Sequence, residues 1–109
     1  MPRPPTYTVR MHDVAVGYSD LEERDADGTM AHGVFRPGLG YELVQPIFQL
    51  HARATPGDDV ALARFVRARD ALRLTLIDPK GKEIATRGIH IYERDTGRLA
   101  IEVQLQREH

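Results

Sequence analysis

The sequence predicts an α+β fold in the order βββ-α-βββ, with one helix packed on a curved antiparallel sheet or half-barrel. Three observations carry this expectation. Residues 57 to 72 show apolar residues at helical spacing, and the blocks on either side alternate apolar and polar residues with period two. The connections between the short alternating runs are too brief for parallel crossovers, so the strands are expected to pair antiparallel. At 109 residues and 41% hydrophobic content the chain has material for one modest core. Residues 6–109 are therefore expected to form a single domain, behind a flexible proline-rich tail of residues 1–5.

In the first block, Tyr7, Val9 and Met11 alternate with polar residues, and Val14, Val16 and Tyr18 alternate on the opposite parity. The slip at His12-Asp13 marks a bulge or two short strands meeting there. An acidic loop, residues 20 to 28, ends in the turn-forming pair Asp27-Gly28, and a second strand follows over residues 29 to 36. Pro37-Gly38-Leu39-Gly40 is expected to turn into a long third strand, residues 41 to 52, with Pro46 on a sheet edge or at a bulge. Thr55 is the expected N-cap of the helix, and Pro56 its first residue. Asp58 and Asp59 suit the positive end of its dipole. Ala61, Leu62, Phe65, Val66, Ala68 and Leu72 form its apolar stripe.

In the second block, Leu74 and Leu76 lead into Asp78-Pro79-Lys80-Gly81-Lys82, a hairpin turn with glycine at the left-handed position. Gly88 is the natural site for a bulge between Ile84 and the pair Ile89/Ile91. Residues 99 to 105 have the cleanest alternation in the chain. Ile89 and Ile91 must share a face with Ile101 and Val103, and Gly97 supplies the positive φ of a bulged turn. Pairing Arg94 with Arg98 meets both conditions. It sets His90 opposite Glu102 and Tyr92 opposite Ala100, on the face away from the core.

Composition and motifs exclude several classes of function. With 15 basic against 16 acidic side chains, the net charge of -1 gives no broad attraction to nucleic acid or anionic membrane. No apolar run approaches the roughly 18 residues of a membrane span. The chain holds no cysteine, so thiolate chemistry and cysteine-ligated metals are out. Met1-Pro2-Arg3-Pro4-Pro5 lacks a following apolar region, and a cytoplasmic location is expected. Ser19, the chain's one serine, has no G-x-S-x-G context. Gly38-Leu39-Gly40 is too short for a phosphate loop and is expected to precede a strand rather than a helix, so it is read as a turn.

Three local signals could carry chemistry. His90 beside Glu102 has the form of an acid-base pair, although opposite charges across a sheet are also a routine stabilising pair. Glu23, Asp25, Asp27 and Gly28 reproduce the opening spacing of a calcium loop, but the twelfth position is Val34 rather than glutamate, and a solvated acidic loop is the simpler reading. Arg69 falls within the apolar stripe with Arg73 one turn on, where a guanidinium can grip an anion or merely complement the helix dipole. His12, His32 and His51 lack the spacing that puts two metal ligands on one element.

The sequence thus favours a small non-catalytic binding or interaction module with no cofactor. It is expected to be homodimeric, using a sheet face or edge for a protein partner or small ligand. The face bearing His90, Tyr92, Glu102, Gln104 and Gln106 is the first candidate patch, with Arg69, Tyr92 and Gln104 as ligand contacts. Two alternatives stand beside this. One is a small enzyme with His90 or His32 as acid or base, Glu102 orienting it and Arg69 holding an anionic substrate. The other is weak calcium binding at Glu23, Asp25 and Asp27. A buried histidine with a displaced pKa beside a concave site is the mark that would favour the enzyme.

Overall fold

A computed structural model describes residues 6–53 and 55–106. The predicted proline-rich tail, residues 1–5, lies outside the described residues. The fold is α+β, with a helical segment between two groups of strands as expected, and both sheets are antiparallel and open. The first group holds β1 (Tyr7–Met11), β2 (Val14–Ser19), β3 (Glu23–Arg24), β4 (Met30–Val34) and β5 (Arg36–Pro37). Then come α1 (Tyr41–Arg53) and α2 (Asp59–Ala71). The second group holds β6 (Leu74–Ile77), β7 (Glu83–Ile84), β8 (Thr86–Glu93) and β9 (Leu99–Leu105). The strands form one five-stranded sheet, β5-β2-β1-β6-β7, and one four-stranded sheet, β3-β4-β9-β8.

The phase slip at His12-Asp13 is the turn of the β1–β2 hairpin, where Met11 pairs with Val14 and His12 takes φ 55°. The segment expected as a third strand is instead α1. Tyr41, Val44 and Phe48 recur at helical spacing, and all three are buried. Pro46 lies inside this helix, where it removes one backbone bond at a cost of about 3 kcal/mol. Burying those three side chains contributes about 1.5–3 kcal/mol each, so packing wins over the proline.

The second helix begins later than the sequence suggests. Asp58 is its N-cap, accepting a 3.0 Å bond from the Ala61 N–H, while Thr55 and Pro56 belong to a preceding turn closed by Asp58 N–H to Thr55 O. A carboxylate at the cap also suits the helix dipole, which a threonine does not. Phe65 is the buried residue of α2, and Leu62 of the predicted stripe is exposed. The helix docks on α1 through Phe48 and Phe65, whose rings lie 5.9 Å apart edge to face. At its C-terminus Arg73, just beyond the C-cap Leu72, holds the left-handed φ of 51°.

The second block follows its pattern closely. Ile89 pairs with Val103, His90 with Glu102, Ile91 with Ile101 and Tyr92 with Ala100. The Arg94 N–H donates to the Arg98 carbonyl at 2.8 Å, and Gly97 has φ 81°. A bulge falls between Thr86 and Gly88. Strand β9 is central, since β4 pairs with its other side and sets His32 opposite Glu102.

Val9, Val16 and Leu76 of the five-stranded sheet join Ala31, Ile89, Ile91, Ile101 and Val103 of the other sheet in one buried cluster. Leu21, Phe35, Tyr41, Val44, Phe48 and Phe65 complete it. Gly17 lies against this cluster: a Cβ there would collide with the Phe35 ring and stand 2.7 Å from the Arg36 carbonyl oxygen. Gly17→Ala is expected to destabilise the fold by about 2–3 kcal/mol, read as a lowered urea midpoint at unchanged slope. Among the described residues, no helix is long and apolar enough to cross a membrane.

Candidate functional site

Alternation along three neighbouring strands puts Met30 and His32 of β4, Glu102 and Gln104 of β9, and Gly88, His90 and Tyr92 of β8 on one face of the four-stranded sheet. The sequence pattern alone assigns this face to solvent. In the structure α1 and α2 cover its β8 side instead, because the segment expected as a third strand supplies a helix to lie across it. The His90 ring stands 5.9 Å from Phe48, 5.7 Å from Phe65 and 5.1 Å from His51, all in edge or tilted contact. Tyr92 stacks on its other side at 5.5 Å and 17°.

Beside this ring cluster a cleft of about 250 Å³ opens between α2 and the sheet. His51, Phe65, Arg69, His90, Glu102 and Gln104 line it. Four of the residues singled out from sequence, Arg69, His90, Glu102 and Gln104, are thus brought together. Tyr92 stands one ring outside, against His90. His32 is not part of the cleft; its Nε2 lies 3.3 Å from the Asp25 carboxylate.

Burial holds His90 well below the usual histidine range, to about 4, and the charges of His51 and Arg69 act in the same direction. The imidazole is therefore neutral at neutral pH, with one ring nitrogen to donate and one to accept. His51 stacks on Phe65 at 4.3 Å, and its buried Nδ1 has no hydrogen-bond partner among the described residues. Arg69 lies with its guanidinium carbon 5.7 Å from the centre of the Phe65 ring and its Nη2 3.5 Å from Asp70. Gly88 packs against the same guanidinium, 3.5 Å separating Nη2 from where a Cβ on Gly88 would stand, an ordinary contact distance.

Sequence reasoning missed the roles of His51 and Phe65 as walls of this cleft. The spacing of His51, three residues after Phe48 and seven after Val44, is the signal that could have found it, and it becomes visible once α1 is read as a helix.

The acidic loop is arranged differently from the cleft. Glu23 lies in β3, Asp25 faces His32, and the Asp27 carboxylate accepts bonds from the Thr29 N–H at 3.1 Å and hydroxyl at 2.8 Å. Among the described residues, no group of three histidine or carboxylate side chains is placed to hold a metal ion.

Chemically, the cleft offers one guanidinium, one carboxylate, one carboxamide and a neutral imidazole against an aromatic wall. That set can orient a small ligand carrying both an anionic group and hydrogen-bond donors. Comparison with protein-family models, with curated proteins and with solved structures finds no match to this chain.

Proposed function

We propose that this protein is a small non-catalytic binding module, with its ligand site in the cleft between α2 and the four-stranded sheet. The observation that carries the reading is the convergence of Arg69, His90, Glu102 and Gln104 on one concave surface. A displaced histidine pKa can mark an enzyme, but the direction of the His90 shift argues otherwise. A general base acts best with a pKa near the working pH, and a histidine titrating at about 4 is a weak base at neutrality. It serves better as a fixed neutral hydrogen-bonding group. A cytoplasmic location fits a fold that uses no disulfide.

The test is a thermal-shift screen against carboxylate and phosphate metabolites, followed by NMR of the histidine side chains. A saturable rise in melting temperature that moves the His90 signals, and is lost in Arg69→Gln, is expected. Turnover of any bound compound by the wild type but not by His90→Gln would overturn the non-catalytic reading in favour of the acid-base pair.

Self-association belongs to the same reading, but its best support lies away from the sheet edges named by the sequence. Three of the strands at those edges, β3, β5 and β7, are only two residues long. The outer surface of the helix pair is more apolar. On it Leu50 is 67% exposed and Val60 64% exposed. Between the helices runs a groove of about 550 Å³, lined by Ile47, Leu50, Val60 and Ala68, with Asp58 and Arg64 along it. A second copy is the occupant this groove fits: antiparallel pairing of two α2 helices about a two-fold axis sets Asp58 of each against Arg64 of the other. Light scattering at micromolar concentration is expected to give a dimer mass, and Leu50→Glu a monomer. A monomer mass for the wild type would remove this part of the proposal.

A further inference from the structure

We infer that the ligand is a phosphorylated heteroaromatic compound, its phosphate held by Arg69, Arg73 and Arg87 and its ring by the His51–Phe65 wall with Glu102 and Gln104. This rests on the cleft being the ligand site. A second cleft of about 230 Å³ adjoins it, lined by Arg73, Thr86, Arg87 and Gly88. It shares Arg69 and Gly88 with the first. Neither cleft alone reaches the roughly 300 Å³ at which small-molecule sites begin, and together they pass it.

The two ends of this trough differ in chemistry. Three arginines line one end, and Asp70, which is largely exposed and 3.5 Å from Arg69, is the carboxylate beside them. Among the described residues, no ion pair joins Arg73 or Arg87. A carboxylate has two oxygens to offer such a cluster, whereas a phosphate offers three or more with greater charge, the better match to three planar donors. The negative end of the α2 dipole opposes an anion here, but it is a smaller effect than charge-assisted bonds to guanidinium.

The backbone is bent to bring these arginines together. Arg73 occupies the position after a helix C-cap with φ 51°, a conformation that glycine takes without strain and arginine does not. Arg87 is the extra residue of the β8 bulge between Thr86 and Gly88, and bulges re-aim side chains. Two departures from regular geometry thus place two of the three arginines beside this cleft.

At the other end, the walls are Met30, Leu62, Phe65 and Val66 with the His51 ring, a surface suited to a flat ring. Glu102 offers carboxylate acceptors, and Gln104 offers both a donor and an acceptor. A ring with adjacent N–H donors would satisfy them.

Guanosine monophosphate is the probe that carries both halves; guanosine, inorganic phosphate and benzoate separate them. Calorimetry is expected to show the nucleotide binding at least about tenfold more tightly than guanosine or phosphate, since removing one charge-assisted hydrogen bond weakens binding by roughly that factor. Arg73→Gly and Arg87→Gln should each weaken the nucleotide and phosphate by about tenfold and leave guanosine unchanged. Arg73→Gly relieves the positive φ, so its weaker binding cannot come from misfolding. Glu102→Gln should weaken the nucleotide and guanosine and spare phosphate. Equal affinity of wild type and the Arg73→Gly/Arg87→Gln double variant for the nucleotide would overturn the phosphate assignment, and a nucleotide no tighter than phosphate would overturn the ring. Benzoate binding with no response to nucleotide or phosphate would remove this ligand class while leaving the cleft as the binding site. No response of the His90 signals to any probe would remove both.

Discussion

Phe65→Ala is expected to lower the unfolding free energy by about 4 kcal/mol, the largest effect of any single truncation near the cleft. The Phe65 ring meets Phe48 at 5.9 Å, His51 at 4.3 Å and His90 at 5.7 Å, and it carries the Arg69 guanidinium on one side. It is also the buried residue of α2. Removing it leaves a cavity at the junction of both helices and the sheet, and leaves α2 held by the partly buried Val66 and Leu72, its cap and its flanking loops. The measurement is urea denaturation of both proteins. Phe65→Leu, which keeps most of the volume, should cost only about 1 kcal/mol. A decrease below about 1 kcal/mol for the alanine variant would show that α2 is anchored by other residues.

The second large effect depends on pH. The unfolded chain's His90 titrates near 6.5 and the folded one at about 4, so between these values the unfolded state binds more protons. Stability therefore falls as the pH drops through that window and levels off below it. Near pH 5 the decrease from this one residue is about 2 kcal/mol relative to neutral pH. The groups around the ring set the direction. Burial among Phe48, Phe65 and Tyr92 disfavours the charged form, and His51 and Arg69 add like charge. Glu102, directly across on β9, does not outweigh them.

His90→Phe places a ring of similar shape among the aromatic neighbours with nothing to titrate. Its stability should be nearly flat from neutral pH to pH 5, while the wild type declines. A separate acid destabilisation is expected in both proteins at lower pH. Arg36 holds the Asp20 carboxyl below the usual carboxylate range, and that contribution disappears only as Asp20 takes a proton. Parallel decline of the two proteins between neutral pH and pH 5 would show that His90 is not the responsible group.

The β8–β9 hairpin is legible in the sequence because two local constraints agree on one register. The isoleucines have to share a face with Ile101 and Val103, and Gly97 fixes the turn. That register yields the His90–Glu102 juxtaposition, and helical angle alone places Arg69 on the inner side of α2. The first helix is hidden for a physical reason. It carries apolar residues on two faces, with Tyr41, Val44 and Phe48 buried and Leu43 and Leu50 exposed, so the period of 3.6 is blurred. Pro46 then argues for an edge strand. With α1 taken for a strand, nothing in the pattern reveals that Phe48 and His51 cover His90, and the face it stands on reads as solvated. The N-cap fails differently: Thr55-Pro56 and Asp58-Asp59 both signal a start, and Gly57 at φ 86° decides for the second by turning the chain between them.

The position of β9 at the centre of the four-stranded sheet has a consequence for biosynthesis. Its partners are β8, a hairpin away, and β4, near the other end of the described chain. Until Leu99–Leu105 has left the ribosome, β4 has β3 for company and no inner partner, so the N-terminal half cannot complete its sheet as it emerges. Closing that long loop is entropically costly, and it makes completion of this sheet wait for β9 rather than proceed strand by strand. The nascent β4, with its ladder groups unpaired, is the stretch a chaperone would have to shield.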